Sequence, residues 1–432
     1  MDNKNYEKLS KLVIAAIRVG RKENPKMKTL EKKHKNVWKI IKKLSGKTVK
    51  MDRIKINKKI MRFLKNIKNG PILRNRDEKY YVDITIGESV LLIYHPESWP
   101  LAHELIREIH KKGAHVTALQ ESSESNIELF EDSCPKAVEE LSEIMKRIYE
   151  SIDVRIRILS EDDPRWKEKV DPKKVRLRRG VQEFYLTQLN KMRWLVLGWP
   201  LKGAAKYFKV RYQKYKKMIF NSIVESFSKK TKETCKFYEK ALKGKSEVRI
   251  IAKDGTNLIL KMKGRKILID DGCISDEDIA RGDIGSNVPA GEVFCAPLET
   301  SANGKIFFER IFIPGHGFIE GLWIDFKNGK IVNYKAKKNE SRFRKFLKEN
   351  TESTKTTAEL GIGCNRGTFF TGEILTDEKI FGTIHIAIGN NTGAYGGKNV
   401  ASTHLDMIKD MKNGEMYIDK KLVMKNGKPF KK

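Results

Sequence analysis

The chain has no run of eighteen apolar residues, so no segment is long enough to cross a bilayer as a helix. Its first residues lack the apolar core and small-residue cleavage site of a secretory leader: residues 12–17 are a short apolar run that passes into a lysine-rich tract. Five cysteines (Cys134, Cys235, Cys273, Cys295, Cys364) are scattered through 432 residues, odd in number and without a Cys-x-x-Cys pair. That pattern argues against a disulfide framework or a thiolate zinc site and fits a reducing, cytoplasmic setting. No glycine-rich phosphate loop follows any apolar run that reads as a strand, so a nucleotide site is not expected. No internal repeat is evident.

Basic charge, by contrast, is abundant. The formal net charge is +33, and residues 1–70, with 23 Lys/Arg against 5 Asp/Glu, carry +18 of it. More than half the excess therefore sits in a sixth of the chain, as a basic extension on a more moderate body. Amphipathic stretches at residues 9–19, 37–44 and 54–67 give this extension a helical reading. Two roles remain open for it: solvated helices or a tail, or an arm that neutralises the phosphates of nucleic acid non-specifically. Tyr6, Trp38 and Phe63 are its sole stacking surface, too little for single-strand base recognition. Richness in lysine and isoleucine fits a thermophile.

Length alone suggests two to three domains. From about residue 80 the pattern is that of an α/β layer with a mainly parallel sheet. SVLLIY (Ser89–Tyr94) reads as a strand buried on both faces, residues 101–112 as a helix ended by Gly113, and residues 116–119 as a second strand. A helix over 137–150 and strands near 154–159 and 194–198 continue it, with 160–190 a polar, basic insertion or connection and 205–243 a long helical stretch. Beyond that the grain is β: short alternating strands at 248–252, 257–262 and 266–269 are divided by Asp254-Gly255 and Lys263-Gly264, and a hairpin near Asp419 closes the chain. The expected organisation is a basic helical extension (1–70), an α/β domain with a helical linker (71–243) and a β-rich, α+β catalytic domain (244–432).

Chemistry concentrates between residues 285 and 410. NVPAGEVF places Glu292 after a Pro/Gly turn, and AELGIG places Glu359 before glycines that permit close backbone approach. The strand sequence TIHIAIG holds His385 among apolar residues, and THLD sets His404 and Asp406 two apart, on one face of a strand. Two histidines and three carboxylates suit a pair of divalent ions such as Zn, Mn or Co, which can share and acidify a water. Each element alone is weak. A histidine in an apolar strand is more often a satisfied core residue, and strand-borne ligands follow no tight spacing rule.

The combination NVPAGEVFCAP, ELGIGCN, TGEILTDEKIFGTIHIAIG and GGKNVASTHLDMI, with IDDG at 269–272, resembles the M29 family of metallo-aminopeptidases. The resemblance covers about 245–426 strongly and 80–243 in pattern. It implies that Glu292, Glu359, His385, His404 and Asp406 are the five metal ligands of a two-metal site. It also implies a homodimer with an enclosed cavity, and cleavage of the first bond of peptides bearing a free N-terminus. Glu359 would take the proton of the attacking water, and Tyr395 is the nearest match to a tyrosine that some members place after the first histidine. Cys295 and Cys364 depart from the family pattern, either altering metal preference or filling space, and His316 reads as structural. Two other functions compete: polyanion binding through residues 1–70, and hydrolysis of a different amide.

Overall fold

The structure, a computed structural model, describes residues 84, 86–159, 161–272 and 284–431. The basic extension, and with it the nucleic-acid arm, lies outside the described residues. Strands β1 (Ser89–Tyr94), β2 (His115–Gln120), β3 (Val154–Ile158) and β4 (Arg193–Leu197) alternate with helices. Then come β5 (Glu247–Ala252), β6 (Asn257–Lys261), β7 (Leu268–Asp270), β8 (Gly285–Val288) and β9 (Glu292–Cys295). Long strands β10 (Asn303–Ile313), β11 (Gly317–Lys327) and β12 (Lys330–Lys338) precede β13 (Thr357–Gly363) and β14 (Thr383–Gly389). β15 (His404–Asp410), β16 (Gly414–Ile418), β17 (Lys421–Lys425) and β18 (Lys428–Pro429) complete the set.

Three sheets result. The first is parallel in the order β2-β1-β3-β4-β8. β1 and β3 supply buried residues to it, and Leu91 and Leu92 point to opposite faces into two separate apolar clusters, as a doubly covered sheet requires. The second is an eight-stranded sheet, β12-β11-β10-β6-β5-β16-β17-β18, and the third is five-stranded and antiparallel, β15-β14-β13-β9-β7. An α/β layer followed by a β-rich half is the architecture that the sequence patterns indicate. One strand crosses between them: β8, four residues with little apolar signal, returns to pair beside β4. It ties the two halves together, because Ser286 on β8 donates to Asp270 Oδ1 on β7 at 2.9 Å.

Local details differ from expectation for identifiable reasons. The single helix expected over 137–150 is two, Pro135–Glu139 and Glu143–Ser151, because Ser142 caps the second by accepting from Met145 N. The polar connection at 160–190 contains helices Pro172–Leu177 and Arg179–Leu189, and Phe184 and Tyr185 of the latter pack on Tyr149. Its dense basic residues hide that apolar spacing in the sequence. The long stretch at 205–243 breaks into Lys202–Tyr207, Tyr212–Ser226 and Lys229–Leu242, the last capped by Ser228. None of the described helices is long and apolar enough to cross a membrane.

The third sheet has two unlike faces. Val293, Leu360, Ile362, Ile384, Ile386, Ile388, Leu405 and Met407 enter one apolar core with Val248, Ile250, Ile306 and Phe308 of the eight-stranded sheet. Each such fully buried side chain stabilises the fold by roughly 1.5–3 kcal/mol relative to exposure. The residues that alternate with them form the other face, and all five expected ligands are there.

Candidate metal centre

Register explains the convergence. Glu359 pairs with Ala387 and Ala387 with Asp406, while Gly361 pairs with both His385 and Phe294, and Glu292 pairs with Gly363 and Asp270. Paired residues share a face, so Asp270, Glu292, Glu359, His385, His404 and Asp406 project together from five neighbouring strands. The glycines between them make room for protein groups. A Cβ on Gly361 would lie 1.9 Å from His385 Nε2, and one on Gly363 would lie 2.0 Å from the Ile380 carbonyl oxygen. ELGIG is therefore glycine-rich to admit an imidazole and a neighbouring loop.

Glu359 stands at the middle. Its Oε1 is 3.1 Å from His385 Nε2 and its Oε2 is 3.2 Å from His404 Nε2. His385 Nε2 is also 3.6 Å from Glu292 Oε2, and His404 Nε2 is 3.2 Å from Asp406 Oδ1. Ligating atoms of Glu359, His385 and Asp406 all lie within 4.8 Å of one another. His404 Nδ1 is 2.7 Å from the Asn390 carbonyl oxygen, which can only accept, so Nδ1 carries the hydrogen and Nε2 is left facing the carboxylates. An outer hydrogen bond that fixes the tautomer in this way is what a metal-binding imidazole uses.

Around this lies a charged shell that motif reading passed over. Lys379 is fully buried, its ammonium 2.6 Å from Glu292 Oε1, bonded to Glu378, and 3.5 Å from Asp270 Oδ2. Glu378 and Lys379 belong to the TDEK segment between β13 and β14. The available signal was a run of charged residues wedged between two apolar strands. Tyr395 also enters the site: its ring stacks on His404 at 5.2 Å and meets Phe294 edge-on at 5.7 Å. Its loop is pinned by Glu299, which accepts from Lys398 N at 2.7 Å and Asn391 Nδ2 at 3.2 Å, and by Arg265, which donates to the Gly396 carbonyl.

Electrostatics follow from burial. Burial would raise Glu359, but hydrogen bonds from His385 and His404 overcome it and hold the carboxyl at about 2. Burial would likewise lower His385, yet Glu359 and Glu292 bring it up to about 9. Burial pushes Glu292 well above the usual carboxylate range against the pull of Lys379, and raises Glu378 and Asp270 in the same way. Tyr395 is pushed well above its ordinary value by burial and the surrounding carboxylates. Glu292 Oε2 and His385 Nδ1 are buried with no hydrogen-bond partner, and an unsatisfied carboxylate oxygen aimed at an imidazole is a position that a cation completes. The donor set therefore fits divalent metal.

The remaining candidates lie elsewhere. Cys295 and Cys364 point into the apolar core on the opposite face, where burial pushes the Cys295 thiol up to about 12. Among the alternatives the sequence left open, they fill space. His316 bonds Glu349 at 2.9 Å and packs on Phe346, away from the ligands, as a structural histidine.

The profile of the thermophilic metalloproteases (M29) matches residues 77–428. The chain belongs to that family. An M29 metalloprotease implies divalent metal, and the cluster just described is where this chain offers it ligands. Among solved structures, wild-type AmpT from Thermus thermophilus is similar at 17% identity and TM-score 0.63, over 80% of this chain and 94% of that one. The 2,5-dihydroxypyridine dioxygenase from Pseudomonas putida KT2440 is similar at 15% identity and TM-score 0.53, over 79% and 92%. At such identities the likeness is one of fold alone. No curated protein matches the sequence.

Proposed function

We propose that this M29 metalloprotease is an aminopeptidase that uses two divalent ions to cleave the first peptide bond of peptides with a free N-terminus. The observation that carries this reading is the placement of Glu359, with one carboxylate oxygen at each histidine. One ion would be held by Glu292, Glu359 and His385, the other by Glu359, His404 and Asp406. The spread of the donors supports the number two: Glu292 lies against His385 at one oxygen of Glu359, and Asp406 against His404 at the other.

Bound there, the ions would anchor the substrate's amino group, polarise the scissile carbonyl and acidify the attacking water. The chain's own groups supply the rest. Glu359, with one carboxylate oxygen at each histidine, is the group to which we assign the proton of the water. Glu378, buried against Lys379 and raised by burial, adds a further carboxylate to the shell. Tyr395 keeps its phenolic proton and can donate to the oxyanion that develops on the carbonyl.

Zinc, cobalt or manganese all suit the donor set. The family resemblance supports a homodimer, and the free cysteines support a cytoplasmic location. The test is release of an amino acid from a free dipeptide but not from its N-acetylated form, abolished by a chelator. Equal cleavage of both forms removes the aminopeptidase reading and leaves a metalloprotease of another kind. Activity on a different amide with inert peptides would favour the amide-hydrolase alternative.

A further inference from the structure

We infer that the outer face of the eight-stranded sheet, where β10, β11 and β12 lie side by side, is a docking surface for single-stranded nucleic acid. This role is independent of the aminopeptidase reading. The inner face of these strands carries Ile306, Phe308, Leu322, Ile324 and Ile331 into the core. The outer face carries two half-buried aromatic rings in a field of exposed lysines.

Register builds the platform. Phe307 pairs with Trp323 and Trp323 with Lys335, so all three project together. The two rings lie 4.9 Å apart at 40° and form one apolar plate. Lys305 holds its ammonium 5.6 Å from the Trp323 ring, and Lys337 holds its own 5.8 Å from that of Phe307. Gly321 makes room for the second: it has φ +62°, and a Cβ there would lie 2.7 Å from Lys337 Cγ and Cδ. Lys327 and Lys330 pair across the hairpin beside the plate.

The charge is uncompensated. Among the described residues, none of Lys305, Lys327, Lys330, Lys335 and Lys337 forms an ion pair. Of the acids on these strands, Asp325 accepts from Asn333 Nδ2 at 3.1 Å, Glu320 is paired with Lys338, and Glu309 is exposed. Five unpaired ammonium groups around an aromatic plate have the chemistry of a stacking platform, where bases lie on the rings and lysines meet the phosphates. A base that displaces Lys305 from Trp323 leaves that ammonium free to meet a phosphate. A second copy of the chain would instead bring lysine against lysine, and interface cores are poor in lysine. A double helix keeps its base faces stacked inside and offers the rings nothing. The basic extension holds charge but little stacking surface in its sequence; this face holds both.

The test uses the full-length protein and an oligo-uridine roughly twenty nucleotides long, substituted with iodouridine, crosslinked by ultraviolet light and mapped by mass spectrometry. Crosslinks should fall on peptides containing Phe307 or Trp323. In fluorescence anisotropy, Trp323→Ala should weaken binding of the unsubstituted oligomer about tenfold, the scale of one lost base stack, and Trp323→Phe should restore most of it. Lys335→Gln combined with Lys337→Gln, both on exposed positions, should lower the slope of log affinity against log salt by about 1.4, two phosphate contacts at about 0.7 each. Duplex DNA should bind wild type and Trp323→Ala alike. Crosslinks confined to residues 1–70, no binding, or unchanged affinity and slope in both variants with melting temperature retained would overturn the assignment. Binding to phosphatidylserine vesicles that Trp323→Ala abolishes, with the oligomer unaffected, would overturn it in favour of a membrane surface.

Discussion

The parallel sheet and the ligand-bearing sheet each have five strands and are covered on both faces, yet their residues do opposite things. In the parallel sheet, successive residues of β1 are apolar on both sides: Val90 and Leu92 enter one cluster, Leu91 and Ile93 another. In the ligand sheet, alternate residues diverge. Leu360 and Ile362 join the core, while Glu359, Gly361 and Gly363 face a buried field of carboxylates. Burying that field unbalanced costs free energy, and the apolar face behind it must offset the cost. Substitutions on the two faces should accordingly separate activity from stability.

The largest effect is expected on the charged face. Glu359→Ala or His404→Ala should lower kcat/KM by about a thousandfold or more, the order seen on removing a group that acts directly in the reaction. In chelator Glu359→Ala should also melt below wild type, because His385 and His404 lose the carboxylate that pairs with both. Lys379→Met sharpens the contrast within that face. Removing one partner of a buried ion pair costs about 3–5 kcal/mol, so urea unfolding in chelator should show that loss, partly restored on adding metal.

On the apolar face, Ile386→Ala should cost about 2–5 kcal/mol in denaturant unfolding while leaving metal stoichiometry unchanged in the folded protein. Cys295→Ala tests the same face with a smaller deletion: about 1 kcal/mol or so, again with metal content unchanged. A fall in metal content for Cys295→Ala would place the thiol at the centre after all.

These contrasts also show what was legible beforehand. Glu292, Glu359, His385, His404 and Asp406 could be read as one site because two-residue alternation and short motifs expose strand-borne ligands, and family resemblance joined the separate motifs. The parallel sheet was legible because SVLLIY and WLVLG are unbroken apolar runs. β8 was not, since GSNV has no periodicity and its place depends on pairing with β4. Lys379 and Glu378 were missed for a related reason. A charged loop reads as solvated, and only tertiary packing reveals that Lys379 is buried against three carboxylates. The glycines of ELGIG were recognised as sites of close approach, but what approaches Gly361 is His385 of the next strand.

A gentler effect is expected with pH. His385 is raised from its ordinary 6.5 to about 9 in the metal-free fold. A raised folded pKa contributes stability that is complete below the unfolded value and is lost as pH rises through the folded one. The metal-free protein should therefore lose stability between about pH 6.5 and pH 9, and less so as His385→Asn. Metal uptake needs the neutral imidazole, so zinc binding at pH 8 should release protons, measurable from calorimetry in buffers of different ionisation enthalpy.

The most direct measurement is metal stoichiometry per chain, by elemental mass spectrometry on purified wild type and His404→Ala after saturation with zinc and removal of free ion. Two ions bridged by Glu359 predict two per chain in wild type and one or fewer in the variant. One ion per chain in wild type, or two retained in His404→Ala, would contradict the account.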